Sequence, residues 1–519
     1  MNNLIKSLLL LLLSGLLVCS SCSIQTQTRK VFTPQEFPEK VKSVDGKSPF
    51  LKAHMLNGWS YVLKNWKVNE EARNVSGTGK LFDTDRKVVQ EGEFVIPLDS
   101  VALFETNVIH ASPSIAVLSV VTAGSIALSI YCITNPKSCF GSCPTFYASV
   151  GEKELLVAEG FSASVAPALE ATDIDALYRV KSPGPEFELK LTNEALETHV
   201  IRFANLLVAP KPDAGRVLIT PSGEFVQVPE LIPPLSCTSP EGECLAQILK
   251  FDGSERYSTT DSNDLATKET LDLEFENVPE TEIGLVIASR QSLLSTYLFY
   301  QSLAYMGNKA GEWLALLNRG KMFSKERASA IGKKLGGIEV LRQDEEGNWV
   351  SIKSIHETGP LAADVRLVPL GRATTDHLKL RLRLTKGHWR LDWLALAKLG
   401  PTVKPIRIQP FEVKRNQLTD KQALRVLLDS SKVLATFPGD EYTLKYKLPR
   451  DYMNYELFLE SRGYYLEWMR EEWLKEENQT QAIRMFNDPE GVLKELAPEF
   501  KKIEPEIEKQ FWSSKYVSE

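Results

Sequence analysis

The sequence predicts a mainly β protein with some α structure: tandem antiparallel β-domains, namely a small barrel, an immunoglobulin-like sandwich and a jelly-roll-like sandwich, then a C-terminal helical segment. Two observations support this prediction. Apolar and polar residues alternate with a period of two in many stretches, as in FELKLTNE from Phe187, which is typical of strands with one buried face. Short glycine turns such as Ser222-Gly223 and Lys386-Gly387 separate these stretches, as hairpins require.

The first 22 residues have the shape of an export signal. The stretch MNNLIKSLLLLLLSGLLVCSSC has one basic residue, Lys6, then an apolar run from Leu8 to Val18, then small residues before a cysteine. The apolar run is shorter than a membrane-spanning helix needs. We therefore expect residues 1–22 to direct export of the chain.

This segment resembles a bacterial lipoprotein signal, in which signal peptidase II cleaves before a cysteine that becomes acylated. Cys22 is the expected lipidation site because Ser21 before it is small, whereas the alternative, Cys19, follows the bulky Val18. The resemblance implies a palmitate-type anchor in the membrane, to which each buried CH₂ contributes roughly 0.8 kcal/mol. Ser23, in place of the Asp that retains lipoproteins at the inner membrane of enteric bacteria, favours the outer membrane, on its periplasmic or surface side. A plain secretory signal with free release is the alternative.

Two short regions follow the signal. Residues 23–48 are polar, contain two prolines and predict a tether between the membrane and the first domain. Residues 49–112 predict a small β-domain, because Phe94, Ile96 and Leu98 keep a period of two. This region is either an independent small barrel or an edge extension of the next domain.

Residues 113–136 predict an apolar helix. The stretch SIAVLSVVTAGSIALSIYCI, residues 114–133, carries no charge and reaches the length of a membrane span. Its frequent Ser, Thr and Gly residues favour a helix buried within the protein. Insertion into a membrane and packing against a protein partner remain alternatives.

Two larger sandwiches are predicted next. Residues 137–240 fit an immunoglobulin-like sandwich of short alternating strands. Residues 241–400 fit a jelly-roll-like sandwich, into which a stretch with apolar spacing of three and four, beginning at Ser292, inserts a helix.

Residues 401–519 predict β-strands followed by C-terminal helices. In the stretch YYLEWMREEWLKEENQTQAIRMF, the side chains of Leu466, Met469 and Trp473 would share one face of a helix. We expect that helix to pack on a core through this face.

Length, composition and charge limit the class of protein. A chain of 519 residues exceeds what one hydrophobic core covers, so several domains are expected. Hydrophobic residues make up 43% and charged residues 25%, as in ordinary globular proteins. The net charge is −6 and no basic stripe occurs, so nucleic acid is not an expected partner.

The remaining cysteines are expected to form disulfides, because export exposes them to an oxidising compartment. The simplest pairing is Cys139 with Cys143 and Cys237 with Cys244, which leaves Cys132 over; a bond between Cys132 and Cys139 is the alternative. Zinc is not expected, since the spacing C-x6-C-x3-C supplies three ligands where structural zinc takes four. A redox site is not expected either, because it would favour the spacing C-x-x-C, and the spacing from Cys139 to Cys143 is one residue longer.

No catalytic residue, cofactor or metal site is predicted. The sequence contains no G-x-S-x-G, H-E-x-x-H or phosphate-binding G-x-x-x-x-G-K-[ST] motif. Glu194 and Glu197, with His199 close by, suggest paired carboxylates. The favoured interpretation is instead a strand-end turn with exposed acids.

Three tryptophans are weak candidates for ligand binding. Trp349, Trp389 and Trp393 fall within one predicted sandwich, and exposed rings would stack on a glycan. Burial in the core is the more common outcome for such residues.

The body of the chain, in segments such as CFGSCPTFY, LTNEALETHV and GHWRLDWLAL, resembles uncharacterised exported multidomain β proteins of bacteria, a likeness that transfers no activity. We therefore expect a lipid-anchored binding or scaffold protein of the cell envelope without evident catalytic activity. The alternatives are a carbohydrate-active or other envelope hydrolase, and a subunit of an envelope membrane complex that docks through residues 114–133.

Overall fold

A computed structural model describes residues 24–32, 34, 37–40, 50–56, 58–83, 88–112, 143–151, 153–182, 184–195, 197–307, 330–356, 359–449, 454–467 and 476–513. These residues divide into two compact units. The first unit holds the described residues up to 112, together with the short segments 303–307 and 476–479; the second unit holds the others.

The first unit is one six-stranded antiparallel sheet with a short helix, α1, at Phe37–Lys40. The strands, in chain order, are β1 Ile24–Phe32, β2 Leu51–Met55, β3 Ser60–Asn69, β4 Asn74–Phe82, β5 Val88–Pro97 and β6 Val101–Ser112. They lie side by side in the order β1-β6-β2-β3-β4-β5. The core forms around Phe37, whose ring stacks on Phe104 at a centroid distance of 4.0 Å.

This sheet corrects two predictions. Residues 24–32, predicted as part of a tether, instead form β1, which pairs along its whole length with β6. The sheet is open, with β1 and β5 as its edges, so the described strands do not close into a small barrel. The predicted apolar helix at 113–136 lies outside the described residues. Among the described helices, none combines the length and the apolar character that crossing a membrane requires.

The second unit contains twenty-four of the described strands. In chain order these are β7 Thr145–Val150, β8 Lys153–Glu159, β9 Ala171–Ala176, β10 Glu186–Thr192, β11 Glu197–Pro210, β12 Arg216–Ile219, β13 Phe225–Val228, β14 Glu230–Ile232, β15 Ser236–Ser239, β16 Gly242–Glu243, β17 Lys268–Phe275, β18 Glu282–Gln291, β19 Ile338–Gln343, β20 Trp349–Ile355, β21 Asp364–Arg372, β22 Leu378–Thr385, β23 Trp389–Lys398, β24 Thr402–Val403, β25 Ile406–Ile408, β26 Glu412–Arg415, β27 Leu418–Thr419, β28 Leu434–Thr436, β29 Glu441–Lys447 and β30 Tyr455–Glu467. The α-helices described after α1 are α2 Leu293–Met306, α3 Ala330–Leu335, α4 Lys421–Leu427, α5 Gln479–Asn487 and α6 Pro489–Ser513.

These strands form antiparallel sheets that pack face to face in four layers. The first layer has the strand order β27-β26-β29-β10-β7-β8, and the second has β25-β11-β30-β9 with β28 beside β11. The third layer combines β14-β23-β18-β21 with β12-β13-β24, and the fourth is β16-β15-β17-β22-β19-β20. A separate hydrophobic core fills each of the three spaces between successive layers. The predicted mainly β class with antiparallel sheets and C-terminal helices is confirmed.

The pair β11–β30 lies in the middle of this stack and is buried on both faces. Leu206 of β11 packs into the core toward the first layer, and the next residue, Leu207, packs into the core toward the third, because successive side chains of a strand point to opposite faces. The two strands pair from Glu197 opposite Glu467 to the other end of the ladder. Gly463 has no room for a side chain, since a Cβ there would lie 2.2 Å from the Val200 carbonyl oxygen.

Long-range pairing of this kind joins stretches that the sequence assigns to separate domains. Strands from the predicted unit 401–519 pair with strands from the predicted unit 137–240: β29 with β10, and β30 with β11. Leu466 lies in β30 rather than on a helix, while Met469 and Trp473 are outside the described residues. Local periodicity carries no information about such distant partners.

Candidate functional site

A pocket of about 210 Å³ opens in the second unit at one end of the β11–β30 ladder. Its walls come from segments far apart in the sequence: the ends of β8 and β18, the start of β11, helix α2, and the residues before β7 and β21. The lining residues are Cys143, Glu159, Ser162, Ala163, Val165, Glu197, Gln291, Ser295, Thr296, Phe299, Tyr300, Gly359, Pro360, Leu361 and Tyr465.

Glu159 is the buried carboxylate of this pocket. It is the last residue of β8 and only 3% exposed. Its Oε2 accepts hydrogen bonds from the backbone N–H of Leu361, at 2.7 Å, and of Ala362, at 3.4 Å. Its Oε1 is also buried and accepts no hydrogen bond of ordinary length and angle from any described residue, although the Cys143 thiol, a weak donor, is near enough to favour the ionised carboxylate. An unsatisfied buried oxygen is costly to the fold, which makes Glu159 a candidate for contact with a ligand.

Gly359 allows the backbone to pass close to this carboxylate. A Cβ at position 359 would lie 2.0 Å from the carboxyl carbon of Glu159 and 2.1 Å from its oxygens. Only glycine therefore lets the segment before β21 approach near enough for the N–H groups of Leu361 and Ala362 to reach Oε2.

The surroundings of Glu159 change its protonation. Burial raises its pKa from the ordinary value of 4.5 to about 7, because a low-dielectric site disfavours the charged form. Interactions with the Cys143 thiol and with the N–H groups of Leu361 and Ala362 offset this effect in part, and the Asp173 carboxylate adds to it. Glu159 therefore titrates near neutral pH, as functional carboxyl groups often do.

Cys143 brings a free thiol to the same pocket. It is buried and unbridged, so the predicted Cys139–Cys143 disulfide is wrong; Cys139, Cys132 and Cys22 lie outside the described residues. Its thiol faces the carbonyl oxygen of Ser162 at 3.7 Å. Burial raises the pKa of the Cys143 thiol well above its usual range, and the carboxylates of Glu159 and Glu197 raise it further. Since the thiolate is the reactive form, this cysteine is not prepared as a nucleophile.

Glu197 and His199 occupy the start of β11 and are both fully buried. Their side chains interact, with His199 Nε2 at 2.7 Å from Glu197 Oε1. Glu194 is also buried, and its Oε1 accepts a hydrogen bond from the Tyr147 hydroxyl at 2.7 Å. The favoured expectation of exposed acids in this stretch is therefore wrong, because tertiary packing covers the turn before β11.

Aromatic rings also line the pocket. Phe299 and Tyr300 come from α2, and Tyr465 comes from β30, where it pairs with His199 in the ladder. The Tyr465 hydroxyl donates to the carbonyl oxygen of Ser162 at 2.9 Å, and the Tyr300 hydroxyl donates to the Glu467 carboxylate. Because both hydroxyls bond to protein acceptors, these tyrosines offer mainly ring carbon to a ligand.

The structure places the other predicted site residues away from this pocket. Trp389 and Trp393 are 1% and 9% exposed and belong to two different cores. Trp349 is half-buried with the Arg381 guanidinium 4.2 Å from its ring centroid. The three rings therefore form no exposed stacking platform, and the ligand-binding prediction for Trp389 and Trp393 is wrong.

The predicted Cys237–Cys244 disulfide is present, with a sulfur–sulfur distance of 2.00 Å. It lies in the core between the third and fourth layers, where it fastens β15 to the residue after β16. Within the part of the chain that the structure describes, no group of three or more His, Cys, Asp or Glu side chains is arranged to hold a metal ion.

Comparison with known proteins adds little. No protein-family model matches the sequence, and no curated protein matches it. A β-porphyranase of glycoside hydrolase family 86 from the human gut bacterium Bacteroides plebeius is 7% identical over 49% of this chain, with a TM-score of 0.17. The family 31 α-xylosidase from Xanthomonas citri is 8% identical over 81% of this chain, with a TM-score of 0.16. The chain spans 39% and 37% of those two structures, and at such TM-scores the similarity carries no argument about fold or function.

The raised pKa of Glu159 predicts a pH-dependent effect of Glu159→Gln on stability. The folded state holds the Glu159 proton more tightly than the unfolded chain, so ionisation destabilises the fold increasingly from about pH 4.5 to pH 7. Glutamine removes this cost. We expect Glu159→Gln to change the free energy of unfolding more favourably at pH 8 than at pH 5, by up to about 3 kcal/mol. Urea denaturation of the wild type and the variant at both pH values measures this difference.

Glu170→Gln is the matched control. Burial alone would raise the pKa of Glu170, but hydrogen bonds from Arg202 and Arg462 outweigh this and lower it. Glu170 therefore stays ionised throughout the range from pH 5 to pH 8, and its substitution should destabilise the protein to the same extent at both values. An effect of Glu159→Gln that is equally independent of pH would contradict the burial of this carboxyl group.

Proposed function

We propose that this chain is an exported, lipid-anchored protein of the bacterial cell envelope that binds a small ligand in the pocket around Glu159. One observation carries the binding proposal: Glu159, a carboxylate that is 3% exposed and one of whose oxygens accepts no hydrogen bond from any described residue, lines a pocket of about 210 Å³. A buried polar atom without a partner calls for an ordered water, an ion, a ligand or a catalytic role to explain it, and the pocket that Glu159 lines favours a ligand. The pocket is smaller than those that hold drug-sized molecules, so the ligand is small.

The export part of this proposal rests on the sequence. Residues 1–22 have the charge, apolar run and cysteine of a lipoprotein signal. The Cys237–Cys244 disulfide agrees with an oxidising compartment. Anchoring at Cys22, in the outer membrane by preference, would hold the binding unit at the membrane surface.

Lipidation at Cys22 is tested by metabolic labelling with an alkyne-bearing fatty acid in a bacterial host. We expect the full-length chain to incorporate the label, and Cys22→Ala to lose it. Cys19→Ala is the matched control and should keep the label. Incorporation that survives Cys22→Ala would contradict anchoring at this residue.

Ligand binding is tested by screening small polar and charged compounds for stabilisation of the protein. At 100 times its Kd a ligand raises the free energy of unfolding by about 2.7 kcal/mol, which thermal unfolding detects. Ala163 lines the pocket and is itself exposed, so Ala163→Trp should obstruct the pocket without unfolding the protein. Ala214→Trp, at an exposed position outside the pocket, is the control. Stabilisation that Ala163→Trp leaves intact for every compound would contradict binding in this pocket.

A hydrolase is the second candidate, favoured by one observation. Glu159 and Glu197 line the same pocket, and a carboxyl group with a pKa near 7 suits a general acid, as in enzymes that cleave glycans between two carboxylates. Mass spectrometry of each bound compound after incubation separates the two functions. Recovery of intact compound supports binding alone, whereas cleavage by the wild type that Glu159→Gln abolishes would establish the hydrolase.

A further inference from the structure

The chemistry of the pocket walls narrows the class of ligand. None of the described residues that line the pocket is a lysine, arginine or histidine, whereas two of them, Glu159 and Glu197, are acids. An anionic ligand would meet carboxylates and no lining cation. Above about pH 7, where Glu159 is mostly ionised, a neutral ligand would leave its charge without a counter-charge in a site of low dielectric constant, which is unfavourable.

The free oxygen of Glu159 requires a hydrogen-bond donor. Its Oε2 is satisfied by two backbone N–H groups, while Oε1 is buried and accepts from no described residue. A donor that also carries positive charge would form the strongest contact, since charge-assisted hydrogen bonds are roughly twice as strong as neutral ones.

The aromatic part of the wall favours the same ligand chemistry. Phe299, Tyr300 and Tyr465 line the pocket, and the hydroxyls of both tyrosines bond to protein acceptors. Aromatic rings attract cations through their quadrupole and also pack against short alkyl chains. An ammonium group on a short apolar chain would use the carboxylate and the rings together.

From this combination we infer that the pocket binds a small protonated amine, whose ammonium group pairs with the Glu159 carboxylate while its alkyl part packs against Phe299, Tyr300 and Tyr465. The inference rests on the proposed binding function and specifies its ligand. Its basis is the described lining, which contains two acids, three aromatic side chains and no base, together with a buried carboxylate oxygen that accepts from no described residue.

The inference is tested with three probes of similar length that differ in charge: n-butylamine, 1-butanol and butyrate. Affinities are measured at pH 8 by calorimetry on the mature protein, where the amine is protonated and Glu159 is mostly ionised. We expect n-butylamine to bind roughly 10- to 100-fold more tightly than 1-butanol, the value of a hydrogen bond to a charged group, and butyrate to bind most weakly.

Two variants identify the groups responsible. Glu159→Gln should weaken the binding of n-butylamine by roughly 10- to 100-fold and leave the binding of 1-butanol nearly unchanged. The substitution removes the charge of the side chain and keeps its shape. Ala163→Trp should weaken every probe that binds in the pocket.

The outcomes separate this inference from the proposed function. Binding of 1-butanol or butyrate as tight as that of n-butylamine, sensitive to Ala163→Trp, would overturn the amine inference and leave small-ligand binding standing. Unchanged n-butylamine affinity in Glu159→Gln would also overturn the inference. If neither Glu159→Gln nor Ala163→Trp changed the affinity for n-butylamine, the amine would bind outside this pocket, and the pocket would not be the binding site.

Discussion

The pairing of β11 with β30 is the interaction on which the second unit depends. Both strands are buried on their two faces, so the ladder contributes side chains to the cores on either side of its layer. Most antiparallel sheets leave one face to solvent, and this pair does not. Its partners, residues 197–210 and 455–467, lie about 250 positions apart, so ordering it closes a long loop whose entropy cost must be offset by apolar burial on both faces.

The pocket follows from where this ladder ends. Glu197 occupies its last position, Tyr465 lies two residues before the end of β30, and β8 brings Glu159 to the same end from the neighbouring layer. A buried carboxyl group, one of whose oxygens accepts from no described residue, destabilises the fold when it ionises. Natural proteins tolerate such local cost mainly at functional sites, and the same fixed, desolvated position would make a ligand's positive charge effective in binding.

The sequence predicts the local features well and the long-range ones poorly. Alternation identifies β10, where Phe187, Leu189 and Leu191 are buried as expected, and the short spacing of Cys237 and Cys244 identifies their bond. The sequence does not predict the full length of β30 or its pairing with β11. The apolar spacing at the end of β30 also fits a helix, and the partner strand is distant in the sequence. Glu159 belongs to no motif, and its partner Leu361 lies 202 positions away. Its one local signal is an acid placed directly after the apolar run LLVA.

The most direct test of this account is the stability of two neighbouring substitutions in β11, Leu206→Ala and Leu207→Ala, measured by urea denaturation. Because adjacent residues of the strand enter different cores, we predict that each lowers the free energy of unfolding by about 2–5 kcal/mol. Leu418→Ala, at a side chain that is 77% exposed, should change it by no more than about 0.5 kcal/mol. If either β11 substitution behaved like Leu418→Ala, that face of the ladder would not be buried and the central claim would be wrong.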